Sequence, residues 1–108
     1  MRVEPTKLFE RQVKRLTKKY PSLAEEIPAA ILPLINNRLD GFVAMKKNLY
    51  KIRVPIASKS VGKRGGTRII AHVRIVEDIA YLVSIYDKAE YSDVADDVLK
   101  AFFNDYPE

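Results

Sequence analysis

The sequence of 108 residues contains no cysteine, no tryptophan and a single histidine, His72. The absence of cysteine excludes a disulfide framework, a thiolate zinc site and a cysteine nucleophile. One histidine is too few for most histidine-based metal sites and for the two-histidine chemistry of many ribonucleases. The sequence therefore indicates no metal and no other cofactor.

Long apolar runs are absent as well, and no run reaches the 18 or more residues that a membrane span requires. The first twelve residues, MRVEPTKLFERQ, have no apolar core of a signal peptide. Apolar residues make up 47% of the chain and charged residues 31%, which is typical of a globular protein. We therefore expect a single cytoplasmic domain over residues 1–108, with no membrane partner.

Acidic residues are missing from the middle of the chain. Residues 41–76 carry nine Lys or Arg and no Asp or Glu, whereas residues 77–108 carry two basic and nine acidic residues. The net charge of the whole chain is +5. A stretch of one sign that coincides with strands and a Gly-rich loop favours a polyanion-binding site over chance clustering on a solvated surface.

Helical periodicity dominates the first part of the sequence. A helix is expected to follow Thr6 and to end before Pro21, with one apolar stripe formed by Phe9, Val13, Leu16 and Tyr20. A second helix is expected from Ser22, capped by a Ser22–Glu25 capping box. Because Pro28 and Pro33 each remove a backbone hydrogen bond, a kink or a split is predicted there. The two helices should form an antiparallel hairpin.

Alternation of period two follows, and it predicts strands over Leu49–Val54 and Thr67–Val76. Ile79–Tyr86 is apolar on both faces, which predicts a central strand. A short strand at Arg2–Glu4 is a further possibility, and a final helix should begin near Ser92-Asp93. The predicted fold is α+β: an N-terminal helical hairpin packed on a curved antiparallel sheet of three to four strands, with a C-terminal helix.

Basic side chains share one face of this predicted sheet. Alternation places Lys51 and Arg53 of the first long strand on the same face as Arg68 and Arg74 of the next, and Tyr86 joins them from the third strand. Guanidinium groups bind phosphate oxygens through paired hydrogen bonds, so this face suits a phosphodiester. Ordinary solvent-facing strand residues would give the same pattern.

The Gly-rich segment between the first two strands matches no phosphate loop. Gly62-Lys63-Arg64-Gly65-Gly66-Thr67 lacks the spacing of a Walker loop. Gly62-Lys63-Arg64-Gly65 matches the GxxG of KH domains, but strands rather than helices flank it here, which disfavours that interpretation.

Three segments together resemble the RelE/ParE toxin superfamily, and most closely its HigB-type, RelE-like branch. They are Tyr50-Lys51-Ile52-Arg53, then Gly62-Lys63-Arg64-Gly65-Gly66-Thr67-Arg68-Ile69-Ile70, and Ile85-Tyr86-Asp87-Lys88-Ala89-Glu90. The resemblance implies the toxin of a type II toxin–antitoxin pair that cleaves mRNA on the ribosome. It implies a metal-independent attack of the ribose 2′-OH on the adjacent phosphate. Its partners would be ribosome, mRNA and a cognate antitoxin, expected to be a small helix-turn-helix protein.

Roles follow from this resemblance together with the charge pattern. The expected catalytic residues are Lys51, Arg53, Arg68, Tyr86 and Lys88. Lys51 is the expected general base, since neighbouring cations lower a lysine pKa, and Arg53 and Arg68 would hold the phosphate. Tyr86 or Lys88 would protonate the departing 5′ oxygen. The expected RNA-binding residues are Lys46, Lys47, Lys59, Lys63, Arg64 and His72.

The sequence departs from the family at two places. Lys88 stands where the family has an arginine, and Val94 stands where it has a tyrosine, for which Tyr86 or Tyr91 could substitute. Two other functions stay open on these residues. One is a ParE-like toxin that acts on DNA gyrase and is not a nuclease. The other is an RNA-binding module without catalytic activity. An acidic antitoxin segment would bind the basic face or the lysine-rich first helix.

Overall fold

The computed structural model describes residues 1–57 and 66–108 as an α+β fold. The described part of the chain forms three helices and five strands. In chain order they are β1 (Arg2–Pro5), α1 (Lys7–Lys19), α2 (Leu23–Ile35), β2 (Val43–Ala44), β3 (Leu49–Val54), β4 (Thr67–Arg74), β5 (Ile79–Asp87) and α3 (Asp96–Asp105). None of these helices is long and apolar enough to cross a lipid bilayer.

The five strands form one open sheet in the order β1-β5-β4-β3-β2. All neighbouring strands are antiparallel except β1, which pairs parallel to β5 with Val3 opposite Ala80. The expectation of a purely antiparallel sheet of three to four strands is therefore wrong. Parallel neighbours need a long crossover, and here the whole chain between β1 and β5 provides it.

Each face of the sheet has its own hydrophobic core. Phe9 and Leu16 of α1, together with Leu23 of α2, pack on one face against Ile69 and other buried strand residues. On the opposite face, α3 places Phe102 against a smaller core. That smaller core is formed by Leu49, Ile70, Val83 and Tyr86. The face that the sequence predicted to be open is thus partly covered by α3.

The predicted first helix is confirmed, including its start. Thr6 caps α1, since its hydroxyl accepts a hydrogen bond from the Phe9 N–H at 3.1 Å. The same hydroxyl donates to the carbonyls of Leu82 and Val83 at 3.0 and 3.2 Å, which ties the start of α1 to β5. Pro21 follows the last turn, as expected.

Two details predicted for α2, a split of the helix and a capping box, are wrong. α2 is not split, since it runs as one helix through Pro28 and Pro33. The carbonyls that these prolines leave without a partner belong to Ala24 and Ala29, which are exposed, so water can satisfy them. The capping box is absent, because the Ser22 hydroxyl donates instead to the carboxylate of Glu26 at 2.7 Å.

A β-bulge interrupts the regular pairing of β5. Ile70 of β4 lies opposite Ser84, but the next residue, Ala71, lies opposite Leu82. The strict alternation predicted for this strand therefore fails: Leu82 and Ile85 lie on the α1–α2 face, and Val83 and Tyr86 on the α3 face. Without this shift, Tyr86 and Val83 would lie on opposite faces of the sheet.

Gln12 of α1 satisfies the backbone at this bulge. Its side-chain oxygen accepts hydrogen bonds from the Ile85 N–H at 2.9 Å and from the Ser84 hydroxyl at 3.1 Å. Ser84 and Ile85 are both buried, so no water replaces this acceptor. The bulge that orients Tyr86 therefore depends on a contact from the opposite side of the sheet.

Gln12→Leu is expected to destabilise the protein by about 1–3 kcal/mol, because it leaves the buried Ile85 N–H without an acceptor. The measurement is the free energy of unfolding in urea. Gln12→Glu keeps an acceptor oxygen at the same place and should lose clearly less stability. Equal losses for the two variants would contradict the role assigned to the acceptor.

Candidate active site

Three predicted site residues lie side by side across the sheet. Arg53 of β3 is paired with Arg68 of β4, and Arg68 is paired with Tyr86 of β5. Residues directly opposite each other on neighbouring strands point to the same face, with Cβ atoms about 5 Å apart. Arg53 is exposed, Arg68 is half-buried and Tyr86 is 5% exposed. The row thus runs from the surface down to the α3 core.

Lys51 lies on the same face, two residues before Arg53. Its ammonium forms an ion pair with Asp93, with Nζ 3.0 Å from Oδ1. The Tyr86 hydroxyl donates to the same carboxylate oxygen at 3.4 Å. Asp93 therefore joins Lys51 to the cross-strand row, and its side chain is still 58% exposed.

These contacts set the protonation states of the group. The hydrogen bond with Asp93 raises the pKa of Lys51, despite the opposing effect of partial burial. The same bond lowers the pKa of Asp93, and burial raises the pKa of Tyr86. At neutral pH the cluster therefore holds an ammonium, a carboxylate and a neutral phenol. The expectation that neighbouring cations lower the pKa of Lys51 is wrong, since its nearest charged partner is an anion. A lysine that stays protonated at neutral pH is less suited to the role of general base.

Asp93 is the site residue that the sequence analysis missed. Asp93 lies at the expected start of the final helix, near Ser92-Asp93, but α3 begins only at Asp96, with Ala95 at its N-cap position. Asp93 instead lies in the segment between β5 and α3, where its Oδ1 also accepts the Val94 N–H at 2.8 Å. No sequence spacing relates it to Lys51, which lies 42 positions earlier.

Arg68 follows a point where the start of β4 lies very close to the end of β3. Gly66 has φ +68°, and a Cβ at this position would lie 3.0 Å from the Val54 carbonyl oxygen. The next residue, Thr67, is fully buried and donates its hydroxyl to that same carbonyl at 3.2 Å. Arg68 donates from Nη1 to the Thr67 carbonyl at 3.2 Å. A glycine at position 66 thus lets β4 begin close beside the end of β3.

Buried Asp87 anchors the chain as it leaves β5. Its carboxylate accepts the Tyr20 hydroxyl and the Ala89 N–H, both at 3.0 Å. Lys88 comes next and donates its backbone N–H to the Gly66 carbonyl at 3.1 Å. The side chain of Lys88 is exposed and, among the described residues, forms no hydrogen bond or ion pair with Lys51, Arg53 or Tyr86. The hydrogen bonds that join the other members of the cluster therefore do not include the expected fifth catalytic residue.

The remaining predicted RNA-binding lysines divide into two groups. Lys46 and Lys47 are exposed and line a groove of about 690 Å³ between the start of β3 and α3. In that groove the Lys47 ammonium lies over the Phe103 ring, 5.3 Å from its centroid. Lys59, Lys63 and Arg64 lie outside the described residues.

His72 lies where no nucleic acid reaches it. Its side chain is fully buried beneath α3, in edge contact with the rings of Phe102 and Phe103 at centroid distances of 5.4 and 5.1 Å. The expectation that His72 contacts RNA on an open face is therefore wrong, because α3 covers it. Burial lowers the pKa of His72, although Glu108 Oε1 lies 3.2 Å from Nε2, out of line for a hydrogen bond.

Because His72 is buried, the free energy of unfolding should decrease as the pH falls. Because the folded-state pKa lies below the ordinary value of 6.5, the unfolded chain takes up this proton first as the pH falls. The contribution of neutral His72 is complete above pH 6.5 and is lost progressively below it, down to the folded-state pKa. Urea unfolding of the wild type and of His72→Phe across this range measures the effect. A wild-type curve no steeper than that of the variant would contradict it.

No known protein-family model matches the chain. Within residues 1–57 and 66–108, no group of three or more His, Asp or Glu side chains is placed to hold a metal ion. The cluster of Lys51, Arg53, Arg68, Tyr86 and Asp93 is the structural feature that bears on function.

Proposed function

We propose that this protein is a RelE-like, HigB-type toxin of a type II toxin–antitoxin system, a ribosome-dependent endoribonuclease that cleaves mRNA. The observation that carries the proposal is the cross-strand row of Arg53, Arg68 and Tyr86, joined to Lys51 by the carboxylate of Asp93. Two guanidinium groups suit the two free oxygens of a phosphodiester, and an adjacent carboxylate and phenol suit proton transfer. The proposal includes a RelE-like fold, in which α1 and α2 form a helical hairpin packed on the sheet.

The reaction is a metal-independent transfer within one nucleotide step. Arg53 and Arg68 bind the phosphate, and Asp93, ionised and more than half exposed, accepts the proton of the ribose 2′-OH. The 2′ oxygen bonds to phosphorus, and the bond from phosphorus to the 5′ oxygen breaks. Tyr86 gives its proton to that oxygen, leaving a 2′,3′-cyclic phosphate and a 5′-OH. Asp93 then returns its proton to Tyr86 along their existing contact.

Lys51 acts in this scheme through its charge. An ammonium held beside the phosphate stabilises the negative charge that accumulates in the transition state. This role needs a protonated lysine, which agrees with a pKa raised by Asp93. The role of Lys88 as a proton donor is not part of the proposal, because Tyr86 is the donor in contact with Asp93.

The cluster needs its substrate to be positioned from outside. Asp93 has a lowered pKa, so it is a weak base, and free RNA would rarely present a 2′-OH in line with the phosphate. A ribosome that holds the mRNA in a bent conformation would supply this geometry. The proposed partners are accordingly the ribosome, mRNA and a cognate antitoxin, and the proposed location is the cytoplasm.

The test is cleavage of a reporter mRNA by the purified protein, with and without translating ribosomes. We expect cuts only with ribosomes, and new 5′ ends that a polynucleotide kinase labels without prior phosphatase treatment. Efficient cleavage of free RNA would contradict the dependence on the ribosome. Bound ribosomes with intact mRNA would indicate a binding module without catalysis, and inhibition of DNA gyrase supercoiling would indicate a ParE-like toxin.

A further inference from the structure

Helix α1 carries a dense row of exposed cations on the side that faces away from the sheet. The exposed basic residues are Lys7, Arg11, Lys14, Arg15, Lys18 and Lys19. Four of them, Lys7, Arg11, Lys14 and Lys18, follow one another at spacings of four, three and four, so they lie on one face of the helix. This row is about 16 Å long at a rise of roughly 1.5 Å per residue. We call it the α1 basic row.

Little within the protein neutralises this charge. Glu90 pairs with Arg15 through two contacts of 3.0 and 3.4 Å and lies 3.9 Å from Lys19. Among residues 1–57 and 66–108, no carboxylate forms an ion pair with any of the four members of the α1 basic row. Glu10, the one acid of α1, lies three positions from Lys7 and four from Lys14 and offsets part of their charge. The remaining like charges repel each other, so an external polyanion would relieve this repulsion.

The cations beside this row form a shallow, open surface. A depression of about 580 Å³ lies among side chains of α1 alone, and all five residues that line it are cations: Arg11, Lys14, Arg15, Lys18 and Lys19. The Cβ atoms of residues three or four positions apart on a helix are separated by about 5–6 Å, so these long side chains can reach several phosphates of one backbone.

The α1 basic row is separate from the candidate active site. The buried side of α1, with Phe9 and Leu16, packs on the face of the sheet opposite to Arg68 and Tyr86. Lys7 and Arg11 also border a groove of about 640 Å³ beside α3, but none of the residues proposed to cleave RNA lines this groove or the depression on α1. A ligand on α1 is thus a second contact and cannot be the phosphate at the active site.

The composition of this surface distinguishes between two classes of partner. Protein–protein interfaces have an apolar centre and are depleted in lysine, whereas nucleic-acid interfaces are much more basic. None of the large apolar side chains exposed in the described residues lies on α1. Exposed aromatic rings, on which single-stranded bases stack, are absent from the row as well. The row therefore fits a double helix, recognised through its backbone, better than an acidic protein or a single strand.

We propose that the α1 basic row binds the phosphate backbone of double-helical nucleic acid without regard to sequence. This surface is independent of the proposed cleavage chemistry, so either proposal can fail without the other. If the protein acts on ribosomes, double-helical ribosomal RNA is the ligand that the row would meet there.

The test is the affinity for a short fluorescent RNA duplex of arbitrary sequence, measured by anisotropy across a salt series. The variant Arg11→Gln, Lys14→Gln, Lys18→Gln removes three charges from the row and retains good helix formers. The matched control Arg2→Gln, Arg38→Gln, Lys100→Gln removes three exposed charges elsewhere. Circular dichroism and the melting temperature verify that both variants fold.

We expect the row variant to bind the RNA duplex about tenfold more weakly at low salt, and its slope of log affinity against log salt to be smaller by roughly 2–3. The control should stay close to the wild type. Equal losses in both variants would overturn the proposal, because net charge alone would then explain binding. Loss of binding to polyglutamate but not to the duplex would also overturn it and assign the row to an acidic protein. A DNA duplex of the same sequence shows whether A-form geometry matters.

Discussion

Asp93→Asn is expected to lower the rate of ribosome-dependent mRNA cleavage by roughly 10²- to 10⁴-fold, the range for removal of a general base. The amide cannot accept the 2′-OH proton, although it keeps the size and the position of the carboxylate. At the same time the pKa of Lys51 should fall toward its ordinary value, because the hydrogen bond that raises it is weakened. Single-turnover cleavage measures the first effect, and NMR titration of the Lys51 side chain measures the second.

The same variant separates catalysis from binding. With the carboxylate removed, Lys51 and Arg68 face a phosphate without a competing anion, so binding of inorganic phosphate should become several-fold tighter. Loss of cleavage together with tighter phosphate binding is the expected combination. Asp97→Asn, which removes an exposed acid from the first turn of α3, is the matched control and should change neither. Unchanged cleavage by Asp93→Asn would contradict the proposed base.

Phe102→Ala is expected to destabilise the protein by about 3–5 kcal/mol and to lower its melting temperature by more than about 10 °C. Phe102 is 5% exposed, and its ring contacts His72, Tyr81, Phe103 and Tyr106. It is the buried residue by which α3 is held on the sheet. Truncation to alanine leaves a cavity between α3 and the sheet, and neighbouring side chains cannot fill this cavity unless the helix moves.

Hydrogen exchange can show which part of the protein loses stability in Phe102→Ala. Below the melting temperature, amides of α3 in Phe102→Ala should exchange faster, whereas those of the β4 centre should keep their protection. The half-buried neighbour Phe103 provides the control, since Phe103→Ala should lose less stability. A uniform increase of exchange throughout the sheet would show that α3 is not a separable unit. Because Asp93 lies just before α3, a detached helix should also weaken the pairing of Asp93 with Lys51.

The sequence was informative where one periodicity dominated. The stripe of Phe9 and Leu16 identified α1, and alternation in β3 and β4 placed Lys51, Arg53 and Arg68 on one face. Alternation was uninformative in β5, which is apolar on both faces, so the bulge at Ser84 left no signal in the pattern. The sequence also did not predict that β1 pairs parallel to β5, since the pattern of a four-residue strand does not indicate the direction of the strand beside it.

The sequence likewise predicted only part of the candidate active site. Cations were found because nine of them stand in a stretch without acids, but their protonation states depend on contacts that are distant in sequence. Asp93 reverses the expected effect on the pKa of Lys51, and its place near the expected start of the last helix gives no sign of this contact. His72 was assigned to the surface because alternation identifies a face of the sheet and not what covers that face. The cover, α3, comes 24 positions later in the chain.

The parallel edge strand has a consequence for the order of events during synthesis. β1 pairs with Ile79–Leu82, and the Thr6 hydroxyl bonds to carbonyls 76 and 77 positions later. A nascent chain cannot form these contacts until residues 79–83 have left the ribosome. The β3–β4–β5 meander closes shorter loops, which costs less entropy, so it is expected to form first. Until β5 has emerged, the chain has neither its edge strand in place nor the bulge that orients Tyr86. The nascent protein therefore assembles its cluster of charges only after β5 and Asp93 have both left the ribosome.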